Sequence, residues 1–380
     1  MNSRLDRNPI ADWWWTIDRA MFVLITLLMV TGIVLGLAGS PPVAERLGLP
    51  TFHFVIRQAV FLAPAFMIMF LVSFLTPRAV RRTALVVFVI GMALVCAALL
   101  FGAEVKGARR WITIAGIALQ PSEFVKPSFV ILAAWAFSEG GRRSDVPGNF
   151  LGFFILFATI VPLVLQPDIG QTMLISMVWV SLVFLSGLHL FWVFGLGGVG
   201  FVGLFAAYKL LPHVADRINR FRNPASGDTF QVDNALQSFV EGGWFGKGPG
   251  EGTIKRVLPD SHTDFVFAVT AEEFGVIACI ALLMVFAIVV LRGLYLARRS
   301  EEPFCRLAAA GLVILFGIQA AINMAVNVHL MPAKGMTLPF ISYGGSSLIS
   351  LGLGMGFMLA VTRKRPRADY VDRFRAEEHD

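Results

Sequence analysis

Long apolar runs alternate with short polar interruptions along this chain, and their spacing predicts ten membrane-spanning helices. The apolar segments lie at about 18–38, 52–75, 83–101, 122–138, 150–165, 170–188, 191–208, 263–291, 304–326 and 340–361. The fourth and fifth are short for a hydrocarbon core of ~30 Å, so they read as tilted or partly re-entrant. No internal repeat is visible, which argues against the inverted-repeat plan of many transporters. Only one connection is long, Lys209 to His262, with an amphipathic stretch at Val214 to Phe221 and a glycine-rich run at Gly242 to Gly252. The expectation is an all-α integral membrane protein, one polytopic domain over 1–380. Residues 1–17 and 362–380 form its polar ends, and 209–262 form a large loop between helices 7 and 8.

Composition agrees. Hydrophobic residues make up 56% and charged residues 15% of 380, against about 25% charged in a soluble domain. A mean hydropathy of +0.72 excludes a secreted disulfide scaffold, a disordered chain and an ordinary soluble enzyme. The run from Ala20 to Leu37 is long for a signal-peptide core and reads as a retained span. Trp13, Trp14 and Trp15 just before it suit an interfacial aromatic belt. Cys96, Cys279 and Cys305 sit in or beside apolar runs with no metal-site spacing and read as free thiols.

The net charge of +7 carries no basic stripe on a soluble module, so no nucleic-acid partner is expected. It orients the chain instead. With the N-terminus cytoplasmic, Arg78, Arg81, Arg82, Arg142, Arg143, Arg292, Arg298, Arg299 and the Arg363–Arg375 cluster all fall inside, as the positive-inside rule asks. Both termini are then cytoplasmic and the long loop external. The densest polar and Gly/Pro clusters, Lys106–Lys126, Gln166–Gly170, Gln231–Asp264 and Asn327–Ser347, all fall on the outer side. Polar groups at membrane depth usually line a site, so the chemistry faces outward.

Four segments could carry it. The run Leu258 to Phe265 (LPDSHTDF) leads from the long loop into the eighth span and holds His262, Thr263 and Asp264. A carboxylate at a helix mouth beside Phe265, Val266 and Phe267 would be partly desolvated, the condition that makes a general base; Thr263 or Asp264 capping the helix is the alternative. Glu272 and Glu273 stand too far along that helix to form a dyad with Asp264 and read as buried pairing groups, with Arg57 as a candidate partner. In the second cluster, Arg109 and Arg110 could clamp a phosphate or diphosphate or bind lipid headgroups. There Glu123 and Lys126 are three apart and can pair, as site residues or as an intramembrane ion pair. Third, Asp168 in Gln166–Gly170 reads first as a helix cap. Fourth, Met331 to Ser347 is dense in Pro and Gly, so irregular backbone is expected there, buried in protein or lining a cavity. Its Lys334, Ser342, Tyr343, Gly344, Gly345 and Ser346 would suit an anionic group; a turn followed by helix packing through small residues is the alternative for the glycines and serines, though it leaves Lys334 unexplained. No Walker A, GxGxxG, HExxH or GxSxG is present, so a reaction here must draw on a pre-activated substrate.

In order along the chain, the ARRW, QPSEFVK, QPDIG, LPDSHTDF and PAKGMTLPFISYGGSS segments resemble the SEDS family (shape, elongation, division and sporulation). The resemblance covers nearly the whole chain. Lys334 to Pro339 is similar to division-type members; rod-elongation members tend to have an uncharged run there. The resemblance implies a peptidoglycan glycosyltransferase of the bacterial inner membrane that polymerises lipid II, a disaccharide-pentapeptide on undecaprenyl diphosphate. It implies that Asp264 is the base for the acceptor hydroxyl, and that Arg110, Glu123, Lys126, Lys334 and Ser342 to Ser346 surround the substrate. A class B penicillin-binding protein and other division proteins are the implied partners, besides membrane lipids. No cofactor is required; a divalent cation on the diphosphate is compatible, with no dedicated ligand set legible. Two rivals stand beside this reading: a lipid-linked-precursor flippase or other transporter, and a catalytically silent scaffold.

Overall fold

In a computed structural model, the described residues are 9–105, 108–114, 116–143, 145–188, 230–332 and 335–365, with scattered positions between 189 and 229. The helices are α1 (Pro9–Thr16), α2 (Arg19–Gly39), α3 (Pro41–Arg46), α4 (His53–Val72), α5 (Pro77–Phe101), α6 (Pro121–Arg142), α7 (Gly148–Leu165) and α8 (Ile169–Leu185), then α9 (Phe230–Gly242), α10 (Val266–Arg298), α11 (Pro303–Asn327) and α12 (Gly345–Thr362). Among the described residues, seven helices are long and apolar enough to cross a membrane: α2, α4, α5, α7, α10, α11 and α12. The chain is an all-α integral membrane protein. The expected seventh span (191–208) and the start of the long loop, including Val214 to Phe221, lie mostly outside the described residues.

Side-chain burial sorts the helices into centre and periphery. In α11 and α12, 72% of the apolar window is buried, against 22–39% in the other five. Helix α6 is packed by α5, α7, α8, α11 and α12, and nearly every residue from Pro121 to Phe137 is buried. The segment expected to be short is therefore a full central helix, extended to Arg142 by polar residues that hid its end. Large apolar side chains on the outer helices, such as Val30, Val60, Val86, Ile90 and Leu291, face outward. In water such a surface would be a liability; in a bilayer it is where lipid belongs.

At one end of the bundle α1 folds back on the core. Trp13 is buried, stacked on Phe74 with ring centroids 5.4 Å apart, and its Nε1 donates to Ser73 Oγ at 2.7 Å. Only Trp14 and Trp15 point outward as a belt would, so Trp13 is a core anchor instead. The chain's far end closes against the same helix: Arg363 Nε donates to Thr16 Oγ1 at 2.6 Å, and Lys364 N to Thr16 O at 3.0 Å.

At the other end, β1 (Ala103–Val105), β2 (Ala108–Ile114) and β3 (Ile117–Leu119) form a small antiparallel sheet in the order β1-β2-β3. Its strands, of three, seven and three residues, are too short to give a span signal, and the sequence reading did not separate the sheet from loop.

The described part of the long connection is laced onto α10. Gly275 breaks that helix with φ 81°. The freed backbone is taken up by the glycine-rich run: Lys247 N donates to Glu272 O at 2.9 Å, Gly248 N to Glu273 O at 3.0 Å, and Val276 N to Gly243 O at 2.9 Å. The approach is too close for side chains. A Cβ on Gly275 would stand 2.3 Å from Trp244 O, and one on Gly246 (φ 79°) 2.1 Å from Glu273 O. Glu272 accepts backbone N–H groups of Thr253, Ile254 and Lys255 at 2.5, 2.7 and 3.0 Å. Glu273 pairs with buried Lys255. The partner of Glu273 is thus Lys255 and not Arg57, because the loop folds back over the helix where the sequence shows only distance.

Gly275→Ala is expected to lower the thermal midpoint well beyond the effect of Gly250→Ala. Gly250 also has positive φ (89°), yet nothing stands within 4 Å of its Cβ direction, so it should cost only backbone strain of about 1–2 kcal/mol. Unfolding followed by tryptophan fluorescence in detergent checks this; equal midpoints would rule out the close approach.

Candidate active site

The sheet end gathers all four polar clusters. Arg110 Nη2 donates to Pro167 O at 2.6 Å, Gln120 N to Ser346 Oγ at 3.3 Å, and Ser342 Oγ to Thr263 O. Segments more than 200 residues apart in sequence meet there.

Met336 to Gly344 is irregular backbone between α11 and α12, and it is buried: Met336, Leu338, Phe340 and Ile341 are all at most 3% exposed. Each buried carbonyl or amide there needs a partner. Side-chain amides inside the spans supply them. Gln319 Nε2 donates to Thr337 O at 3.1 Å and Asn323 Nδ2 to Met336 O at 2.6 Å. Gln58 Nε2 donates to Ile341 O at 3.0 Å. Ser342 Oγ accepts from Leu338 N at 2.8 Å. Gln319, Asn323 and Asn327 stand at i, i+4, i+8 on α11, one stripe on one face. The sequence reading singled out none of these four amides; for Gln319, Asn323 and Asn327 the signal was a polar stripe at helical period inside an apolar run, and for Gln58 a lone amide within a span.

The same stripe fixes the Asp264 turn. Asn323 and Asn327 Nδ2 each donate to Asp264 O at 2.9 Å, and Asn327 Oδ1 accepts from Ala268 N at 3.1 Å. Phe265 holds the cap position of α10 with no side-chain hydrogen bond, and Thr263 Oγ1 donates to Asp260 O at 3.1 Å. Neither Thr263 nor Asp264 is therefore the cap. Asp264 is half-buried, and its Oδ2 lies 3.4 Å from where a Cβ on Gly335 would sit. Lys334, next to Gly335, lies outside the described residues.

His262 and Tyr343 join the two segments: Tyr343 N donates to His262 O at 3.0 Å, and both rings pack on Phe54. Burial pushes the His262 imidazole down to about 4, with nearby Arg46 adding to the effect and Asp260 opposing it. Burial also raises the Tyr343 phenol, opposed by Arg57. Gly344 is extended, and a Cβ on Gly345 would stand 2.8 Å from the Phe61 ring.

Glu123 and Lys126 pair at 2.9 Å, both buried. Gln171 Nε2 donates to Glu123 Oε1 at 2.9 Å, and Lys126 Nζ to Gln319 Oε1 at 3.0 Å. A cavity of about 20 Å³ lies against them, room for one water. The ion pair thus connects through Gln319 to the same buried loop as Asp264.

Arg109 and Arg110 do not converge. Successive strand residues point to opposite faces. Arg110 turns inward to Gln166 O, Pro167 O and Asp168, whereas Arg109 is half-exposed and pairs with Glu104 at 3.7 Å. The two side chains therefore do not form the clamp that their adjacency suggested. Asp168 caps α8 by accepting from Gln171 N. Among the described residues, no three His, Cys, Asp or Glu side chains gather as a metal site.

A multi-helix membrane bundle with a buried irregular loop between its two central helices is the architecture that the comparisons also find. The family described as "Cell cycle protein", whose profile spans FtsW, RodA and SpoVE, matches residues 18–367. The probable peptidoglycan glycosyltransferase FtsW of Caulobacter vibrioides is 44% identical over 96% of this chain and 94% of its own length. That of Aliivibrio salmonicida is 32% identical over 93% of this chain and 92% of its own. A solved chain from work described as "Structural coordination of polymerization and crosslinking by a peptidoglycan synthase complex" superposes with a TM-score of 0.76 at 27% identity, over 91% of this chain and 97% of that one. Thermus thermophilus RodA gives 0.69 at 27% identity, over 93% and 99%. The chain belongs to the FtsW/RodA/SpoVE family, the SEDS family of the sequence reading. Within it, the chain groups with the division-type members.

Two outcomes are expected here. Neutral His262 binds no proton between about pH 6.5 and 4 while the unfolded chain does, so stability should fall as pH drops through that window, by up to about 3 kcal/mol. His262→Phe should flatten that slope in thermal melts taken from pH 7 to 4.5. Asn323→Leu leaves Met336 O short of its donor and takes one from Asp264 O; a loss of roughly 1–3 kcal/mol is expected. Glu251→Gln, on the exposed loop, should melt like the parent chain.

Proposed function

We propose that this chain is a peptidoglycan glycosyltransferase that polymerises lipid II during division, with Asp264 as the base. The observation that carries the reading is the placement of the Asp264 carboxylate against Gly335, at the start of the loop that Lys334 enters. The acceptor sugar hydroxyl gives its proton to Asp264 as its oxygen bonds to the donor's anomeric carbon. The bond from that carbon to the diphosphate breaks in the same step, and undecaprenyl diphosphate leaves. Diphosphate is a good leaving group, so its departure needs charge stabilisation more than a proton. Lys334 and Arg110 are the cations assigned to it; of the Ser342 to Ser346 run, Tyr343, Gly344 and Gly345 are partly exposed and line its approach, whereas Ser342 and Ser346 are buried and Ser342 braces the loop. The Glu123–Lys126 pair braces the loop from beneath through Gln319.

The Lys/Arg bias supports an inner-membrane placement with both termini cytoplasmic and this site on the outer face. The joining of Thr16 to Arg363 and Lys364 fits termini on one side. A class B penicillin-binding protein is the proposed partner, a reading supported by the synthase complex in which the solved relative works.

The test is polymerisation of fluorescent lipid II by the purified chain, with and without a class B penicillin-binding protein whose transpeptidase is inactive. Wild type should make long glycan, and Asp264→Asn should reduce the rate at least 100-fold, as for loss of a general base, while melting like the parent. An active Asp264→Asn would remove the base assignment. Lipid II crossing vesicle membranes with no glycan made would replace the enzyme by a flippase.

A further inference from the structure

The end of the bundle opposite the candidate active site holds a pocket of about 680 Å³ lined by Arg78, Arg81, Arg142, Arg365 and Glu302. It sits where α5 and α11 begin and α6 and α12 end. Glu302 is its one acidic residue against four arginines. Two of those are held in place by the fold. Arg365 donates to Leu75 O, and Arg81 pairs with Glu139 at 3.3 Å with its guanidinium 4.9 Å from the Phe304 ring centre. Arg78 and Arg142 are exposed, with no carboxylate partner among the described residues. Nothing in the chemistry at the far end uses this charge.

Arg81 also lines a second hollow, a mainly apolar groove of about 550 Å³ between α5, α6 and α7, walled by Leu85, Phe88, Val89, Leu132, Trp135 and Phe154, with Glu139 and Arg143, paired at 4.0 Å, at its arginine end. Leu85, Val89 and Phe154 open outward, at 45%, 58% and 61% exposure. The groove therefore runs along the hydrocarbon side of the bundle and ends at the arginines. We infer that pocket and groove are one binding site for an anionic phospholipid, its headgroup phosphate held among Arg78, Arg81, Arg142 and Arg365 and one acyl chain lying in the groove. Charge complementarity selects the headgroup: basic pockets at helix ends attract anionic lipids, and arginine binds phosphate oxygens through paired N–H groups. The groove selects a lipid over a free anion, because a soluble phosphate would leave its apolar walls unused.

Native mass spectrometry of the full chain, offered phosphatidylglycerol and phosphatidylcholine with identical acyl chains, tests this. Wild type should retain phosphatidylglycerol preferentially. Each arginine near the headgroup is worth roughly fivefold, so Arg78→Gln with Arg142→Gln should lower that retention roughly 25-fold. Arg298→Gln, at the same end but outside the pocket, should change nothing. Ala136→Trp, which fills the groove, should lower phosphatidylglycerol retention while leaving the pocket arginines intact. Equal retention of the two lipids, or a double variant that retains phosphatidylglycerol like wild type, overturns the proposal. Glycerol 3-phosphate competing as well as phosphatidylglycerol would assign the pocket to soluble anions and overturn it too.

Discussion

Everything at the sheet end depends on one constraint: irregular backbone inside an apolar bundle must have its polar groups hydrogen-bonded. Met336 to Gly344 pairs with itself only at one turn, where Leu338 O accepts from Ile341 N and Ser342 N, so the spans around it carry side-chain amides for the carbonyls left over. Gln58, Gln319 and Asn323 each donate to a loop carbonyl. Removing one would leave a buried carbonyl bare, which costs more than the hydrogen bond itself contributes. The bonded carbonyls are thereby tied to their spans, and the Asp264 carboxylate stands beside the loop's start at Gly335.

The same donors couple elements that otherwise share little. Asn323 bonds both Met336 O and Asp264 O, so a single side chain sets the spacing between the loop and the turn before α10. Gln319, one turn away, reaches the Glu123–Lys126 pair. Burying an ion pair is expensive unless its remaining lone pairs and protons are met; Gln171 and Gln319 each meet one of them. These bonds join α6, α8 and α11 beneath the site.

What could be read from the sequence followed its periodicities. Apolar runs of span length located the long helices but not the short α1, α3 and α9, and the polar breaks between them located the four clusters, including the turn with Asp264 and the Pro/Gly-dense loop. Helix ends were misjudged where polar residues continue a helix, as from Ser138 to Arg142. The pairings were not legible, because they join residues distant in sequence. Lys255 reaches Glu273 only once the glycine-rich run folds back over α10, and Arg109 and Arg110, adjacent in the chain, part company because they lie on a strand. The amide stripe at 319, 323 and 327 was visible in principle as a helical period of polar residues, though its targets were not.

The break at Gly275 also decides how this protein meets the thickness of its membrane. An unbroken α10 of 33 residues would reach about 50 Å, far beyond a hydrocarbon core of ~30 Å. The continuous stretch after the break, Val276 to Arg298, holds 23 residues and spans about 34 Å, a match that a modest tilt absorbs. The stretch before it, Val266 to Phe274, is buried against protein and joined to the asparagines of α11. Length matching to the bilayer therefore falls on the long stretch alone, while the short stretch, and the Asp264 turn before it, take their position from protein neighbours.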